Sequence, residues 1–428
     1  MNNVRDFGAY GDGIHKDTAA VQQAIDAGGT VYFPPGTYLC GTLYLKSNGG
    51  LELAAGATLL ASPDQSDYNS DDFCPQNETC PAEYVSGAHF IVALEQQNIF
   101  IRGNGVIDGN RKSFTDTPRK DNPNLFAYAP WRPSQMVFFC ECSNISLQGC
   151  SYLNAPYWTI LLHGCENADV SSLYIYNDRR TLNGDGLDID CCRNVCVSKC
   201  RIDTGDDCIT LRANNTPLKN KIPCEYITVS DCILRTRCNA IRIGVGNGII
   251  RNSTFSNIIT YETMCSICIV SSYSKGNSVE INNLSFNNLQ LQSGRAFAIK
   301  TWHLRPLDDD SGKIIRNISF NQVNASCDHC SFIAGNSLKR IEDITFDNVS
   351  FEFHGGSHLT EDSDWRQMAP VEFTPAAFHV ENADNVKFFH VFARWMPGHS
   401  TDWQYGLSVR NSGKVQYDEC DFGKPLNQ

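Results

Sequence analysis

The sequence has no run of about 18 consecutive apolar residues, the length a helix needs to cross a membrane. Its opening, Met1-Asn2-Asn3-Val4-Arg5-Asp6, is polar and lacks the apolar centre of a secretion signal. Two locations are therefore expected: the cytoplasm, or a secreted form whose leader has been removed. Positive charge is scarce, with 35 Lys and Arg against 47 Asp and Glu, a formal net charge of −12. Nucleic acid and anionic membranes call for a clustered basic surface, so neither is expected as a partner. A local cationic pocket remains compatible with this balance. Helical periodicity is almost absent. Only residues 17–27, Asp17-Thr-Ala-Ala-Val-Gln-Gln-Ala-Ile-Asp-Ala, read as a short amphipathic helix.

Cysteine, by contrast, is plentiful, at 20 residues. A chain this long builds a large core without covalent staples, so a disulfide framework is not required. Cys191, Cys192, Cys196 and Cys200 invite a zinc reading, but their spacing lacks the paired C-x-x-C knuckles of a structural site. Cys142, Cys165, Cys192 and Cys224 each stand just before an Asn- or Tyr-led strand. Stacked free thiols are the expectation, with some disulfides as the alternative, and a reducing compartment suits free thiols better.

The strongest positive signal is a degenerate internal repeat. Short β-type segments recur as Asn98-Ile-Phe-Ile, Asn144-Ile-Ser-Leu, Asn167-Ala-Asp-Val, Asn194-Val-Cys-Val and Tyr226-Ile-Thr-Val. They continue as Asn283-Leu-Ser-Phe, Asn317-Ile-Ser-Phe, Asp343-Ile-Thr-Phe and Asn385-Val-Lys-Phe. Steps of this kind mark a solenoid, in which each unit buries its apolar face on its neighbours. Each unit holds two or three short strands rich in Val, Ile, Phe and Thr, broken by Gly, Asn and Asp turns. The expected fold is all-β, a right-handed parallel β-helix with the 17–27 helix as its N-terminal cap. Residues 62–89, 108–134 and 354–378 interrupt the repeat and read as long flanking loops, where binding residues often sit. No linker is evident, so residues 1–428 are expected to form one domain.

Two segments carry the chemistry: Asn183-Gly-Asp185-Gly-Leu-Asp188-Ile-Asp190 and Thr204-Gly-Asp206-Asp207-Cys-Ile-Thr-Leu-Arg212. Asp185 and Asp206 are separated by about one coil, so they fall on neighbouring strands roughly 4.8 Å apart. Turn-making explains a single Asp beside Gly, but not three carboxylates gathered at coil spacing. Close like charges raise at least one pKa, which sets a protonated acid beside ionised bases. An inverting glycosidase needs such a pair roughly 6.5–9.5 Å apart with a water between. Asp188 is expected either to orient the site or to bind sugar, and Asp190 to face solvent.

These segments resemble the family 28 glycoside hydrolases, the polygalacturonase family, over roughly residues 4–350. The Val4-Arg-Asp-Phe-Gly-Ala-Tyr-Gly-Asp-Gly opening, Pro34-Pro-Gly-Thr-Tyr38, Gly103-Asn-Gly-Val-Ile-Asp-Gly109, Arg132-Pro133 and Pro156-Tyr-Trp158-Thr-Ile160 are all similar. The more specific match pairs Asn183-Gly184-Asp185 with the family's Asn-Thr-Asp and Asp206-Asp207 with its Asp-Asp. The resemblance implies direct displacement with inversion and no cofactor or metal. It makes Asp206 the general acid, Asp185 and Asp207 the bases that activate water, and Asn183 a turn-holder or substrate ligand. An oligosaccharide is the implied partner.

Two motifs depart from the family. Its Gly-His-Gly falls on Cys238-Asn239-Ala240, and its Arg-Ile-Lys on Cys268-Ile269-Val270, which carries no cation. A substrate other than plain polygalacturonate is therefore expected, and the flanking loops favour exo-action on short chains. If Ile241, Ile243, Ile267, Ile269, Phe297 and Ile299 point inward, then Arg212, Arg242 and Lys300 share the outward phase. Arg242 stands one coil before the lost cations and Lys300 one coil after, so they are expected to replace them, a guanidinium fork suiting a carboxylate. Asn239 and Trp302 complete the expected substrate ligands; Trp158, and Trp131 or Tyr128, are further candidates for sugar platforms, packing being the commoner role of a buried or partly buried Trp. His163 is read as a packed polar residue. Two alternatives remain: a β-helix lyase or isomerase with Arg212 or Arg242 as base, and a non-catalytic glycan-binding β-helix.

Overall fold

The structure is a computed structural model that describes residues 1–72, 86–274, 277–302, 312–356, 375–398 and 402–425. Within the predicted loops, residues 73–85 and 357–374 lie outside the described residues. The architecture is a right-handed parallel β-helix. The chain divides into two compact units: Met1–Ile209 with Thr216–Ile222, and Thr210–Asn215 with Pro223–Gln428.

In the first unit, each coil is three short strands. Val137–Cys140, Ser143–Gln148 and Ser151–Leu153 make one coil, and Ile160–His163, Glu166–Ser171 and Tyr174–Tyr176 the next. They pair in parallel register, with Phe139 beside Leu162 and Leu162 beside Ile189, so one row of inward side chains becomes a continuous apolar ladder. The Asn that opens each repeat has a backbone reason. Asn98, Asn144, Asn167 and Asn194 all adopt φ of 55–57°, a left-handed corner that Asn tolerates better than most residues. Stacking sets their amides in line: Asn144 donates to Asn98 at 3.0 Å, Asn167 to Asn144 at 3.3 Å and Asn194 to Asn167 at 3.1 Å. The helix Thr18–Asp26 buries Val21, Ala24 and Ile25 against the first strands, as a cap should.

The thiols stack as expected. Cys142, Cys165 and Cys192 are buried, and their thiols donate to Ala93 O, Phe139 O and Leu162 O of the preceding coil at 3.2–3.3 Å. Burial drives the Cys165 thiol far up from its ordinary value, which keeps it protonated and unreactive.

The second unit is built from longer strands that run through the corners, among them Ile249–Ser274, Glu280–Trp302, Ile315–Cys327, Ile341–Phe353 and Ala383–Trp395. The Phe that closes each repeat forms the core. Phe255, Phe286, Phe320, Phe346 and Phe388 stack face to face at centroid distances of 4.6, 4.8, 4.7 and 5.4 Å.

Candidate active site

In the first unit, the two aspartate segments lie on adjacent coils. Gly186 N donates to Asp207 O at 2.9 Å and Leu187 N to Cys208 O at 2.9 Å, a parallel ladder that sets Asp185 opposite Asp207. Glycine is obligatory at this close approach: a Cβ on Gly186 would lie 2.5 Å from Cys208 O, and one on Gly205 2.3 Å from Thr181 O. The backbone carrying the aspartates is held from several sides. Thr204 Oγ1 donates to Asp206 O at 2.7 Å, and Asp206 Oδ1 accepts from Asp207 N at 3.1 Å. Thr159 donates to Asp185 O through both its N (2.9 Å) and its Oγ1 (2.7 Å). Asp185 is 5% exposed, while Asp206 and Asp207 are half-buried, so all three sit at a partly covered surface.

Asn183 takes φ of 53°, and its Oδ1 accepts from Arg132 Nη2 at 2.9 Å. It therefore holds the turn. Arg132 also binds Pro156 O and Leu182 O at 2.9 and 2.8 Å while lying 4.6 Å from the Tyr157 ring, clamping the segment that leads to Asp185. Fully buried Asn177 completes the support, donating to Thr159 Oγ1 at 2.8 Å and to Gly184 O at 3.2 Å. Sequence reasoning assigned neither of these supports a role. Arg132 belongs to the Arg132-Pro133 pair that resembles the family, whereas Asn177 carries no signal that separates it from other turn asparagines.

Asp188 and Asp190 alternate with Leu187 and Ile189, but the face they occupy is covered. Asp188 is fully buried beside Leu161, and Asp190 is 4% exposed, so the expectation that Asp190 faces solvent is corrected. The preceding coil supplies the reason: His163 is the strand neighbour of Asp190, with its Nε2 3.9 Å from the carboxylate. His163 is packed, as read. Trp158 is buried against Tyr157 at 5.2 Å, which makes it core rather than platform, while Trp131 is half-buried and packs on Tyr68 and Phe114. Tyr128 stays exposed.

In the second unit, the expected coil offsets are present. Arg242 pairs in register with Cys268, and Lys300 with Val270, the two positions where the resemblance leads one to expect cations. Arg242 Nη1 donates to Cys268 Sγ at 3.2 Å, so its guanidinium reaches the vacated place. Arg242, Lys300 and Arg212 share the expected phase but are buried. Burial pulls the Lys300 amine down to about 7; Cys268 pulls upward, while Arg242 and Arg295 pull further down. Asn239 lies beside Cys265 in register and donates to Cys238 Sγ at 3.3 Å. Trp302 pairs with Ser272 and is 6% exposed.

Residues 76–363 match the family model described as Glycosyl hydrolases family 28. The chain belongs to that family. Residues 1–49 match a second model, Rhamnogalacturonase A/epimerase, pectate lyase-like. The chain is 24% identical over 253 residues to Polygalacturonase QRT2 of Arabidopsis thaliana, covering 51% of this chain and 57% of that protein. It is 27% identical over 301 residues to the Exo-poly-alpha-D-galacturonosidase of Dickeya chrysanthemi, covering 60% and 50%. The family 28 chain thus spans about half the length of these curated relatives. The structure of Yersinia enterocolitica Family 28 Exopolygalacturonase superposes with a TM-score of 0.67 at 20% identity, over 97% of this chain and 77% of that one, a likeness of fold.

Proposed function

We propose that residues 1–428 act as one inverting glycoside hydrolase domain, removing sugars from the end of a pectic or related plant-type oligosaccharide other than plain polygalacturonate. The observation that carries this reading is the coil register that faces Asp185 with Asp207 and sets Asp206 beside them. In this mechanism Asp206 gives its proton to the glycosidic oxygen as the bond to the anomeric carbon breaks. Asp185 and Asp207 take a proton from the water that attacks that carbon from the opposite face. The product sugar carries the inverted configuration, and no cofactor takes part. Exo-action accords with the name of the Dickeya relative, an exo-poly-alpha-D-galacturonosidase.

Arg242 and Lys300, with Arg212, are proposed to recognise an acidic group on the substrate, and Asn239 and Trp302 its hydroxyls and ring. Burial of Asp188 favours an orienting role over direct sugar contact. The test is incubation with a panel of pectic and other plant oligosaccharides, following new reducing ends and the anomer first formed by NMR. Products with the ultraviolet absorbance of an unsaturated uronide would instead identify a lyase. Retention of configuration would overturn the mechanism.

A further inference from the structure

The second unit carries a groove of about 470 Å³ on an outward sheet face that the hydrolytic reading does not use. It crosses the strands Ile249–Ser274, Glu280–Trp302, Ile315–Cys327 and Ile341–Phe353. The register writes its floor as rows. Ile259, Gln290, Asn324 and Ser350 are successive strand neighbours in one row, and Gln292, Ser326 and Glu352 in a second, with Tyr261 also lining the groove. The inward residues between them, Leu291 and Ala325, belong to the core, so the row side chains have nowhere to turn but outward.

The chemistry of those rows is unusual for an exposed sheet in a chain of net charge −12, because the centre of the groove is uncharged. Gln290, Gln292 and Asn324 offer amides that both donate and accept, and their side chains have no hydrogen-bond partner among the described residues. Ser326 Oγ meets His354 Nε2 at 3.0 Å. Charge appears only at the margins: Glu352 lies 4.0 Å from Arg394, and Arg235 pairs with Glu262 at 2.5 Å. The Arg235 guanidinium also lies 5.8 Å from the Tyr261 ring, which fixes an aromatic side chain that is 37% exposed.

We propose that this groove is a second, non-catalytic binding site for an uncharged sugar chain. Sugar hydroxyls both donate and accept, and they match side-chain amides better than a charged partner would. Gln290 and Asn324 are amides on adjacent strands, about 4.8 Å apart and close to the length of one sugar ring, so a glycan lying across the strands meets an amide at two successive residues and the Ser350 hydroxyl at the next. An aromatic ring with an apolar face and a polar edge is the customary complement to a sugar ring. An acidic chain would find no cation on the groove floor. The proposal stands independently of the hydrolytic mechanism.

The test uses the full chain carrying Asp206→Asn, titrated calorimetrically with galactotetraose, arabinotetraose, xylotetraose and tetragalacturonate. At least one neutral probe is expected to bind, and Gln290→Ala/Gln292→Ala should weaken it about tenfold or more. Tyr261→Ala should lose binding and Tyr261→Phe retain it. Gln292→Glu, nearly isosteric, should weaken binding without disturbing the fold, as checked by circular dichroism. In the otherwise wild-type chain the same groove variants should leave the rate on a short hydrolysable substrate unchanged, which separates failure of this proposal from failure of the hydrolase reading. Absence of binding by all three neutral probes, or binding that the groove variants do not alter, overturns the proposal.

Discussion

Replacing Asp206 by Asn keeps the size of the side chain and removes the proton that the proposed mechanism has it deliver. Asp206→Asn is expected to lose about 10²–10⁴-fold in kcat on a substrate with a poor leaving group, with an unchanged circular dichroism spectrum. Near-native turnover would remove Asp206 from the acid role. The Lys300 amine yields a prediction with a sign. Its folded pKa, about 7, lies below the ordinary lysine value, so between pH 7 and 10.5 the unfolded chain binds more protons than the folded one. Stability at this residue therefore rises with pH across that window, and burial of the charge costs most at and below pH 7. Lys300→Met should raise the melting temperature at pH 6.5, and the gain should shrink towards pH 10. The same titration bears on recognition. If Lys300 binds an acidic sugar, the affinity of the Asp206→Asn protein for a short uronide should fall as pH rises through 7, and Arg242→Ala should weaken it about 10- to 100-fold. Affinity flat across that range would exclude Lys300 as the partner. The coil offsets of Arg242 and Lys300 were legible from strand phase, because a period-2 pattern fixes which face a residue takes. Their burial was not, because what covers a face comes from elsewhere in the chain.

At the scale of the element, the turn before Asp185 is held mostly by groups that do no chemistry. Arg132 makes three hydrogen bonds there, two to carbonyls and one to Asn183. Arg132→Lys keeps the charge but not the fork, so kcat should fall while KM changes little if the contact holds Asp185, the proposed base, rather than the sugar. A change confined to KM would show Arg132 to be a substrate ligand instead. In the second unit, Phe320 is fully buried between Phe286 and Phe346. Phe320→Ala should cost about 3–5 kcal/mol of unfolding free energy in urea titration, because a stacked ladder closes poorly over the cavity. The repeat itself was legible, Asn by Asn and Phe by Phe, because each corner needs a left-handed residue and each coil an inward ring. The clamp was not, since Arg132 and Asn183 are far apart in sequence and meet only when coils stack.

For the whole molecule, the departure at Cys268 and Val270 predicts that intact polygalacturonate is turned over poorly beside short pectic oligosaccharides, measured as reducing ends released at equal substrate mass. Cleavage of the polymer at rates matching the oligosaccharides would show that the lost cations do not set the choice of substrate. What the sequence determined by itself was whatever repeats or is local: the β-helix, the capping helix, the stacked thiols and the coil spacing that sets Asp185 and the Asp206-Asp207 pair on adjacent coils. Each of these follows from a period, and a period is written along the chain. Only the tertiary structure decided that Asp188, Asp190, Trp158 and Lys300 are covered, that Arg132 and Asn177 brace the turn before Asp185, and that the Gln290 and Asn324 amides lie side by side in the groove of the second unit. Those features depend on which side chains meet between coils tens of residues apart, and on the burial that follows from their packing.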